Sequence, residues 1–353
     1  MSVPVPGQPT AVVGTADGRW EFASLSVSAG GELTGGQIAV LAPGRGAPRL
    51  VRTVRLPGSM AAAYGIALTN DGRLLLVAGY TQTAVMSVSA LEDGRGDPVA
   101  GVLADAGTGQ FEVAVSGNDR YVFVTDETTG GLSVFDLSLA LRRGFSAPGV
   151  AAGIVPLVAD AGRTQIGPVG VALSPDGSLA YVTTLGGPGP AGQLWVVDTG
   201  RAETGAGRGA VLAHVAAGCG PVRVAVSPDG STAWVTAQGS NALLAFSTAD
   251  LRRDPARALR AVVRVGSEPT GLLLADNGRL ALVANSNRFA ASRIPQTVSV
   301  IDTSAALARR PALAGAAPAG LFPRDLAYDP ATGQVLLANF NSGTIEEFPE
   351  PKP

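Results

Sequence analysis

A short turn rich in aspartate, asparagine and glycine recurs along the whole chain, and each time it joins two apolar segments. Asp-Gly and Asn-Gly pairs favour hairpins because these residues tolerate positive φ. The copies recur about every 52 residues, so a chain of 353 residues is predicted to fold as a series of similar units. The seven copies lie at residues 16–18, 70–72, 117–119, 175–177, 228–230, 276–278 and 331–333.

Each unit divides into four apolar segments of strand length. In the fourth unit these segments are residues 169–173, 179–184, 193–198 and 210–215. The inner segments are continuously apolar, which indicates strands that neighbouring sheets cover on both faces. Four strands per unit, a period of about 50 residues and the lack of a helical pattern predict an all-β fold, a seven-bladed β-propeller with four-stranded antiparallel blades.

We expect this propeller to form one domain that spans residues 1–353. A solenoid is the alternative architecture for repeated units, but it would need capping units that neither end of the sequence resembles. The blades are predicted to start near residues 9, 63, 110, 168, 221, 269 and 323.

The two ends of the sequence complement each other. The last unit has three predicted strands, at residues 324–328, 334–339 and 344–348, and no fourth. Residues 2–6 match the end of the fifth unit, so they are predicted to form the outer strand of the last blade and to close the ring. Pro4 and Pro6 place their missing N–H groups on one edge, which should face solvent while Val3 and Val5 pair with the third strand.

Composition and charge exclude several classes of protein. Hydrophobic residues make up 46% of the chain and charged residues 15%, which excludes a disordered polypeptide. The net charge of −2 indicates neither nucleic-acid nor membrane binding, and no apolar run approaches the ~20 residues of a membrane span. Residues 1–9 lack the features of a signal peptide, so we expect a cytoplasmic protein, or a secreted one whose leader is absent from this sequence.

Short motifs connect the units to a known family. The sequence reads Ser-Pro-Asp-Gly at 174–177, Tyr-Val-Thr-Thr at 181–184 and Val-Val-Asp-Thr at 196–199, and similar motifs recur at 227–230, 234–236 and 300–303. In these motifs the chain resembles the YVTN-type repeat propellers, which include surface-layer-like and lactonase-like proteins. The resemblance covers nearly the whole chain and implies the propeller fold. It implies little about function, because such propellers include both binding proteins and enzymes.

One position near the start of each first strand can be compared across the seven units, and we call these seven equivalent residues a column. Three of the seven units depart from the pattern of this column. Small residues are expected there because seven strands crowd around the channel, yet Glu112, Arg223 and Asp325 are charged. We expect these three side chains to converge at the channel mouth. Two interpretations stay open, a hydrated plug in which Arg223 neutralises both carboxylates, and a catalytic site in which the carboxylates move protons. The column comprises Ala11, Gly65, Glu112, Gly170, Arg223, Gly271 and Asp325.

The residues that precede this column in each unit, and the loops on the same face of the ring, are predicted to complete a polar cup with an aromatic rim over the channel. Two of these loops, residues 24–37 and 285–297, are long enough to cover a site. The predicted ligand-binding residues are Tyr64, Tyr80, Phe111, Asp126, Glu127, Gln238, Asn285, Arg288, Arg324, Asn339 and Asn341. Gln82, Asn241, Asn287 and Phe340 accompany them on the same loops.

A metal is an open alternative for this cup. Calcium or magnesium could be bound through oxygen atoms alone, although the sequence contains no linear calcium-loop motif. Sites built on several histidines or cysteines are excluded, because His214 and Cys219 are single. The candidate oxygen ligands are Glu112, Asp126, Asp325, Asn285 and Asn339.

Three other features are interpreted as structural. His214 lies in an outer strand, where no pocket is expected, so a Ser-His-Asp triad is not predicted. We expect Cys219 to be a buried, inert thiol. The glycine-rich segment 205–209 does not open a helix and therefore lacks the geometry of a phosphate loop.

Three function classes follow from these observations. The first is the binding of a small molecule or peptide segment in the cup by a monomeric protein. The second is an enzyme, a lactonase, lyase, isomerase or cyclase, with Glu112 or Asp325 as acid or base and Arg223 or Arg324 stabilising negative charge. The third is a protein-interaction scaffold that uses arginine pairs on the opposite face, at 142–143, 252–253 and 309–310, although nearby aspartates favour local ion pairing there.

Overall fold

Seven four-stranded antiparallel sheets form the molecule. The computed structural model describes residues 1–29, 32–44, 48–157, 167–186, 192–288 and 296–352. Within these residues each sheet is one blade, and the first strands of neighbouring blades pack against each other around a central channel. The predicted seven-bladed β-propeller is therefore confirmed.

The strands are numbered in chain order, and within each blade they run from the channel to the rim. Blades 1 and 2 contain β2 (Gln8–Gly14), β3 (Glu21–Ala29), β4 (Glu32–Ala42) and β5 (Arg49–Arg55), then β6 (Ile66–Leu68), β7 (Leu74–Ala78), β8 (Thr83–Ser87) and β9 (Val99–Leu103). Blades 3 and 4 contain β10 (Gln110–Val115), β11 (Tyr121–Asp126), β12 (Gly131–Asp136) and β13 (Ala151–Pro156), then β14 (Pro168–Leu173), β15 (Leu179–Thr184), β16 (Gln193–Asp198) and β17 (Val211–Ala216). Blades 5 and 6 contain β18 (Pro221–Val226), β19 (Thr232–Ala237), β20 (Ala242–Ser247) and β21 (Leu259–Arg264), then β22 (Pro269–Ala275), β23 (Leu280–Asn285), β24 (Thr297–Asp302) and β25 (Leu313–Pro318). Blade 7 contains β26 (Pro323–Asp329), β27 (Gln334–Asn339), β28 (Thr344–Pro349) and β1 (Ser2–Pro4).

The ring closes through the N-terminal strand, as predicted. Strand β1 pairs antiparallel with β28, with Val3 opposite Ile345. The Val5 N–H donates to the Gly343 carbonyl at 2.9 Å, and the Val5 side chain is buried. The two ends of the chain therefore share one sheet, and the edge of β28 is covered.

Short helices follow the third strands of blades 2 to 6, where no helix was expected. Each has only five to seven residues, too few to produce a helical pattern in the sequence. An aspartate or serine at the end of the preceding strand caps each helix, because its side-chain oxygen accepts a hydrogen bond from the first turn. The helices are α1 (Val88–Asp93), α2 (Leu137–Arg143), α3 (Thr199–Glu203), α4 (Thr248–Arg253) and α5 (Thr303–Leu307).

The Asp-Thr motif fixes these helices to the hairpin turns. In blade 4, Asp198 caps α3, and the Thr199 hydroxyl donates to the Gly177 carbonyl of the Asp-Gly turn at 2.7 Å. Gly177 has a φ of +71°, which the turn requires and which glycine adopts without strain. Two motifs that recur in the sequence therefore meet in space, on the face of the propeller opposite to the starts of the first strands.

The segment 24–37 was expected to be a long loop, and this expectation is wrong. Strands β3 and β4 continue as a paired hairpin, with Ser24 opposite Ile38 and Ser26 opposite Gly36. The Ser26 hydroxyl donates to the Ala63 carbonyl of the next blade at 3.0 Å, which holds the hairpin against blade 2. In the second expected loop, 285–297, residues 289–295 lie outside the described part of the chain.

The apolar core lies between the blades. Each cluster joins the facing sheets of two neighbours, as where Leu179 and Val196 of blade 4 pack with Val224 and Val235 of blade 5. Both faces of an inner strand are therefore buried, which accounts for its continuously apolar sequence.

Candidate functional site

A β-bulge lies at the charged position of the first strands. Pairing of the first and second strands shifts between Gln110 and Val113 in blade 3 and between Pro221 and Val224 in blade 5. Because a bulge leaves an unpaired residue and redirects its side chain, Glu112 and Arg223 leave the regular alternation of the strand. Their backbone N–H groups are satisfied by hydroxyls of the second strands, Thr125 and Thr236, each at 3.0 Å.

Glycines in the intervening blades provide the room for these charges. A Cβ on Gly65 would lie 2.5 Å from the Glu112 carboxylate, and one on Gly170 would lie 3.3 Å from the Arg223 Cα. A Cβ on Gly271 would lie 3.2 Å from the Asp325 Cα. Small and charged residues therefore alternate from blade 2 to blade 7.

Glu112, Arg223 and Asp325 converge in the channel. Nη1 of Arg223 lies 2.8 Å from Oε2 of Glu112, and its Nε lies 3.8 Å from Oδ1 of Asp325. Asp325 also accepts a hydrogen bond from the Val12 N–H at 3.1 Å. The side chains are only 10%, 14% and 16% exposed for Arg223, Glu112 and Asp325, so one guanidinium is held between two nearly buried carboxyl groups.

Burial has the largest effect on the protonation of the two carboxyl groups, those of Glu112 and Asp325. It raises the pKa of Glu112 to about 7, against the opposing effect of Arg223, and the charge of Asp325 adds to the increase. Burial also raises the pKa of Asp325, while Arg223 lowers it. Burial therefore favours the protonated form of both carboxyl groups, and Arg223 favours the ionised form.

A cavity of about 310 Å³ opens at the mouth of the channel, beside Arg223. Arg223 lines this cavity, whereas Glu112 and Asp325 do not. We call this pocket the central cavity. It is lined by Ser26, Leu33, Tyr64, Phe111, Glu127, Val169, Leu185, Val222, Arg223, Gln238, Thr270, Arg288, Phe322, Arg324 and Phe340.

Arg324 lies in this cavity among aromatic rings. Its guanidinium carbon is 5.1 Å from the ring centre of Phe340, 5.4 Å from that of Phe111 and 5.9 Å from that of Phe322. Burial, followed by the charges of Arg223 and Arg288, lowers the pKa of Arg324 to about 10. Among the described residues it forms no salt bridge and no side-chain hydrogen bond. Aromatic faces therefore surround it, and the charge of Asp325 favours its charged form from beyond salt-bridge distance.

Phe322 was not predicted from the sequence. It precedes the first strand of blade 7 with a φ of +52°, a strained conformation for a bulky residue, whereas Gly167 and Gly220 occupy this position in blades 4 and 5. Its ring packs on Phe340 at a centroid distance of 5.1 Å. The replacement of a turn glycine by phenylalanine is the sequence signal that could have identified it.

The opposite wall of the cavity has a different chemistry. Tyr64 stacks on Phe111 with ring centres 5.1 Å apart. Glu127 follows β11, and burial raises its pKa, while Arg288 and Arg324 act in the opposite direction. Gln238 lines the same cavity from blade 5. Tyr80 and Asn341 are exposed and do not line it, although both lie on loops of this face.

Asp126, Asn285 and Asn339 lie elsewhere. Each ends a second strand and is buried inside its own blade, with a glycine of the entering loop packed against its side chain. Asp126 accepts a hydrogen bond from Ser133 at 2.6 Å, and Asn285 donates to Ser299 at 2.9 Å. Asn339 donates to Glu346 at 3.0 Å. Burial also raises the pKa of Asp126 to about 8. The three residues hold the blades together and do not line the central cavity.

The oxygen cage considered as an alternative, for calcium or magnesium, is therefore not assembled from the candidate ligands. Glu112 and Asp325 lie in the channel beside Arg223, and the other three candidates lie in three separate blades. The described ranges hold no group of three or more histidine, cysteine, aspartate or glutamate side chains arranged to bind a metal ion.

His214 lies on the outer strand of blade 4, as expected, with its ring 4.6 Å from that of Trp195. Cys219 is exposed, so the prediction of a buried thiol is wrong. It lies in the loop that enters blade 5, where no apolar strand covers it.

The arginine pairs lie at the ends of α2, α4 and α5. The nearby aspartates bind other partners, since Asp136 contacts Arg120 at 3.2 Å and Asp254 contacts Arg257 at 3.4 Å. Among the described residues, Arg120 and Arg257 and not the arginine pairs make these contacts, so the expected ion pairing is wrong in its partners. No described helix is long and apolar enough to span a membrane.

Comparisons with known proteins support the fold alone. No family model and no curated protein matches the sequence. Among solved structures, the chain is similar to hydrazine synthase of Kuenenia stuttgartiensis, with a TM-score of 0.73 and 14% identity over 99% of this chain and 97% of that one. It is also similar to the Cps50 (Swd1) β-propeller domain of Myceliophteria thermophila, with a TM-score of 0.71 and 13% identity over 99% and 98% of the two chains. The resemblance to YVTN-type repeats rests on the sequence motifs alone.

Proposed function

We propose that this chain binds a small organic anion, of the carboxylate type, in the central cavity. The observation that carries the proposal is Arg324, a guanidinium surrounded by Phe111, Phe322 and Phe340 without a carboxylate partner among the described residues. A charge in such surroundings is costly unless an opposite charge compensates it. A ligand carboxylate would provide that compensation, with the two N–H donors that a guanidinium presents to it.

The surroundings of Arg324 support the same ligand class. Arg223 and Arg288 line the cavity too, and both disfavour the charged form of Arg324. The remaining walls are mostly aromatic or aliphatic, which suits an apolar ligand body. The volume of about 310 Å³ is near the lower end of the ~300–1,000 Å³ typical of small-molecule sites, which favours a small molecule over a peptide segment.

The enzymatic alternative is less well supported. It requires Glu112 or Asp325 to reach the reacting atoms, and both are paired with Arg223 outside the lining of the cavity. General acid–base catalysis needs hydrogen-bond reach between the catalytic group and the substrate. Binding needs only arginines that line the cavity, and three of them do.

Isothermal titration calorimetry with two matched ligands tests the proposal. We expect 3-phenylpropionate to bind and 3-phenylpropanamide, which has the same body without the charge, to bind at least tenfold more weakly. Arg324→Met should remove this preference, whereas Arg253→Met, an exposed arginine of α4 on the other face, should retain it. Equal binding of acid and amide, or full binding of the acid by Arg324→Met, would overturn the proposal.

A further inference from the structure

The central cavity is asymmetric in charge. Its arginines come from blades 5, 6 and 7, at positions 223, 288 and 324. Glu127 of blade 3 lies on the other side of the ring and is the one carboxylate among the described residues that line the cavity. A bound molecule would therefore meet positive charge at one end and negative charge at the other.

Glu127 has no cation at contact distance within the described part of the chain. Among the described residues it forms neither a salt bridge within 4.0 Å nor a side-chain hydrogen bond, although it is only partly exposed. Its Cγ lies 3.7 Å from the position that a Cβ on Gly167 would occupy, so it lies beside the loop that enters blade 4. The net effect of burial and the more distant arginines is still to raise its pKa. The carboxylate is therefore incompletely compensated by the protein itself.

Tyr64 lines the same cavity as this carboxylate. Burial raises the pKa of Tyr64, and the charge of Glu127 contributes to the increase while Arg324 opposes it, so the phenol is in the field of both groups. Tyr64 also stacks on Phe111, over which Arg324 lies. A carboxylate next to an aromatic ring is a combination that stabilises an ammonium group, through an ion pair and a cation–π contact.

We propose that the ligand of the central cavity is a zwitterion, an amino-acid-like molecule whose carboxylate binds Arg324 and whose ammonium group binds Glu127. This inference rests on the proposed anion-binding function and specifies its substrate class. A ligand with only a carboxylate would bury Glu127 without a partner, and a dicarboxylate would bring like charges together, so both are disfavoured. The aromatic and aliphatic walls between the two charged ends favour an apolar side chain.

Calorimetric titration of three probes with one shared phenyl body tests the inference. The probes are L-phenylalanine, 3-phenylpropionate and 2-phenylethylamine. The full-length chain should bind phenylalanine at least tenfold more tightly than either of the others. Glu127→Gln should remove the advantage of phenylalanine over 3-phenylpropionate while retaining the affinity for 3-phenylpropionate, and Glu32→Gln, at an exposed position of β4, should change neither affinity.

The outcomes separate the two proposals. If 3-phenylpropionate binds as tightly as phenylalanine, or if Glu127→Gln keeps the preference, the zwitterion assignment is wrong while the anion site stands. If neither probe with a carboxylate binds, both proposals are overturned. The thermal unfolding midpoint of each variant shows whether it is folded, and Glu127→Ala provides a second test of the same group.

Discussion

Glu112 and Arg223 form an ion pair across a blade, with Oε2 of Glu112 2.8 Å from Nη1 of Arg223 although the residues belong to blades 3 and 5. The contact is possible because Gly170 of blade 4, which lies between them, has no side chain. Asp325 approaches the same guanidinium from blade 7. One arginine therefore connects three non-adjacent blades at the axis of the ring.

Removal of this arginine should destabilise the fold in a pH-dependent way. Arg223→Met leaves two nearly buried carboxyl groups without their cation, and we expect a loss of about 3–5 kcal/mol in unfolding free energy at pH 8. Loss of the cation raises both folded-state pKa values further above the unfolded ones, so stability should fall as pH rises and the defect should be smaller at pH 5. Urea denaturation at both pH values measures this.

A triple variant provides the control for that prediction. Arg223→Met combined with Glu112→Gln and Asp325→Asn removes all three charges, and should be more stable at pH 8 than Arg223→Met alone. If Arg223→Met alone loses the same unfolding free energy at pH 5 and at pH 8, the carboxyl groups do not cause the defect.

Glu21 should make the wild-type protein less stable at alkaline pH. It is 1% exposed at the junction of blades 1 and 7, and burial, followed by Glu347 and Asp329, raises its pKa to about 9. The folded state thus holds a proton that the unfolded state releases above about pH 4.5, so stability falls as pH rises between about 4.5 and 9. Glu21→Gln should be more stable than the wild type by about 3–5 kcal/mol at pH 8 and should not differ from it at pH 4, because each unit of pKa difference is worth ~1.4 kcal/mol.

Chemical denaturation across this pH range measures the effect. Glu32→Gln, at an exposed position, should leave the pH dependence as it is in the wild type. A Glu21→Gln protein whose stability falls with pH as steeply as the wild type would contradict the assignment.

Ring closure should depend on the apolar face of the N-terminal segment. Val5 is 8% exposed and packs with Leu25 and Ile345, so Val5→Asp should lower the free energy of unfolding by about 2–4 kcal/mol. The matched change Val262→Asp, at a residue of the outer strand β21 that is 60% exposed, should cost far less. Differential scanning calorimetry compares the two, and equal melting temperatures would count against closure by this segment.

Substitution of a glycine that packs against a buried amide side chain should destabilise the fold. A Cβ on Gly266 would lie 2.5 Å from Cγ of Asn285, so Gly266→Ala should cost about 1–3 kcal/mol through displacement of that amide. Gly315 of β25 has no atom within 4 Å of the position of a Cβ, and Gly315→Ala should be neutral or slightly stabilising. Thermal unfolding of both variants tests this. A tolerated Gly266→Ala would show that the loop moves freely away from Asn285.

The sequence by itself determined the number of blades, the strands of each blade and the closure of the ring. These features depend on local patterns, because an Asp-Gly turn between apolar segments specifies a hairpin wherever it occurs. The charged column was also visible, since Glu112, Arg223 and Asp325 occupy equivalent positions in units of one period. The long pairing of β3 with β4 was missed because the serines and glycines of this segment suggested a loop, and one contact that holds it, from Ser26 to the Ala63 carbonyl, comes from blade 2.

Only the tertiary structure decided which polar residues face the central cavity. Asp126 and Glu127 are neighbours in sequence, yet Asp126 points into its blade and Glu127 lines the cavity, because adjacent residues at the end of a strand face opposite ways. The environment of Arg324 was equally hidden from the sequence. It depends on rings from different blades, brought together by the packing of seven sheets around one axis, and no local pattern in the chain encodes those distances.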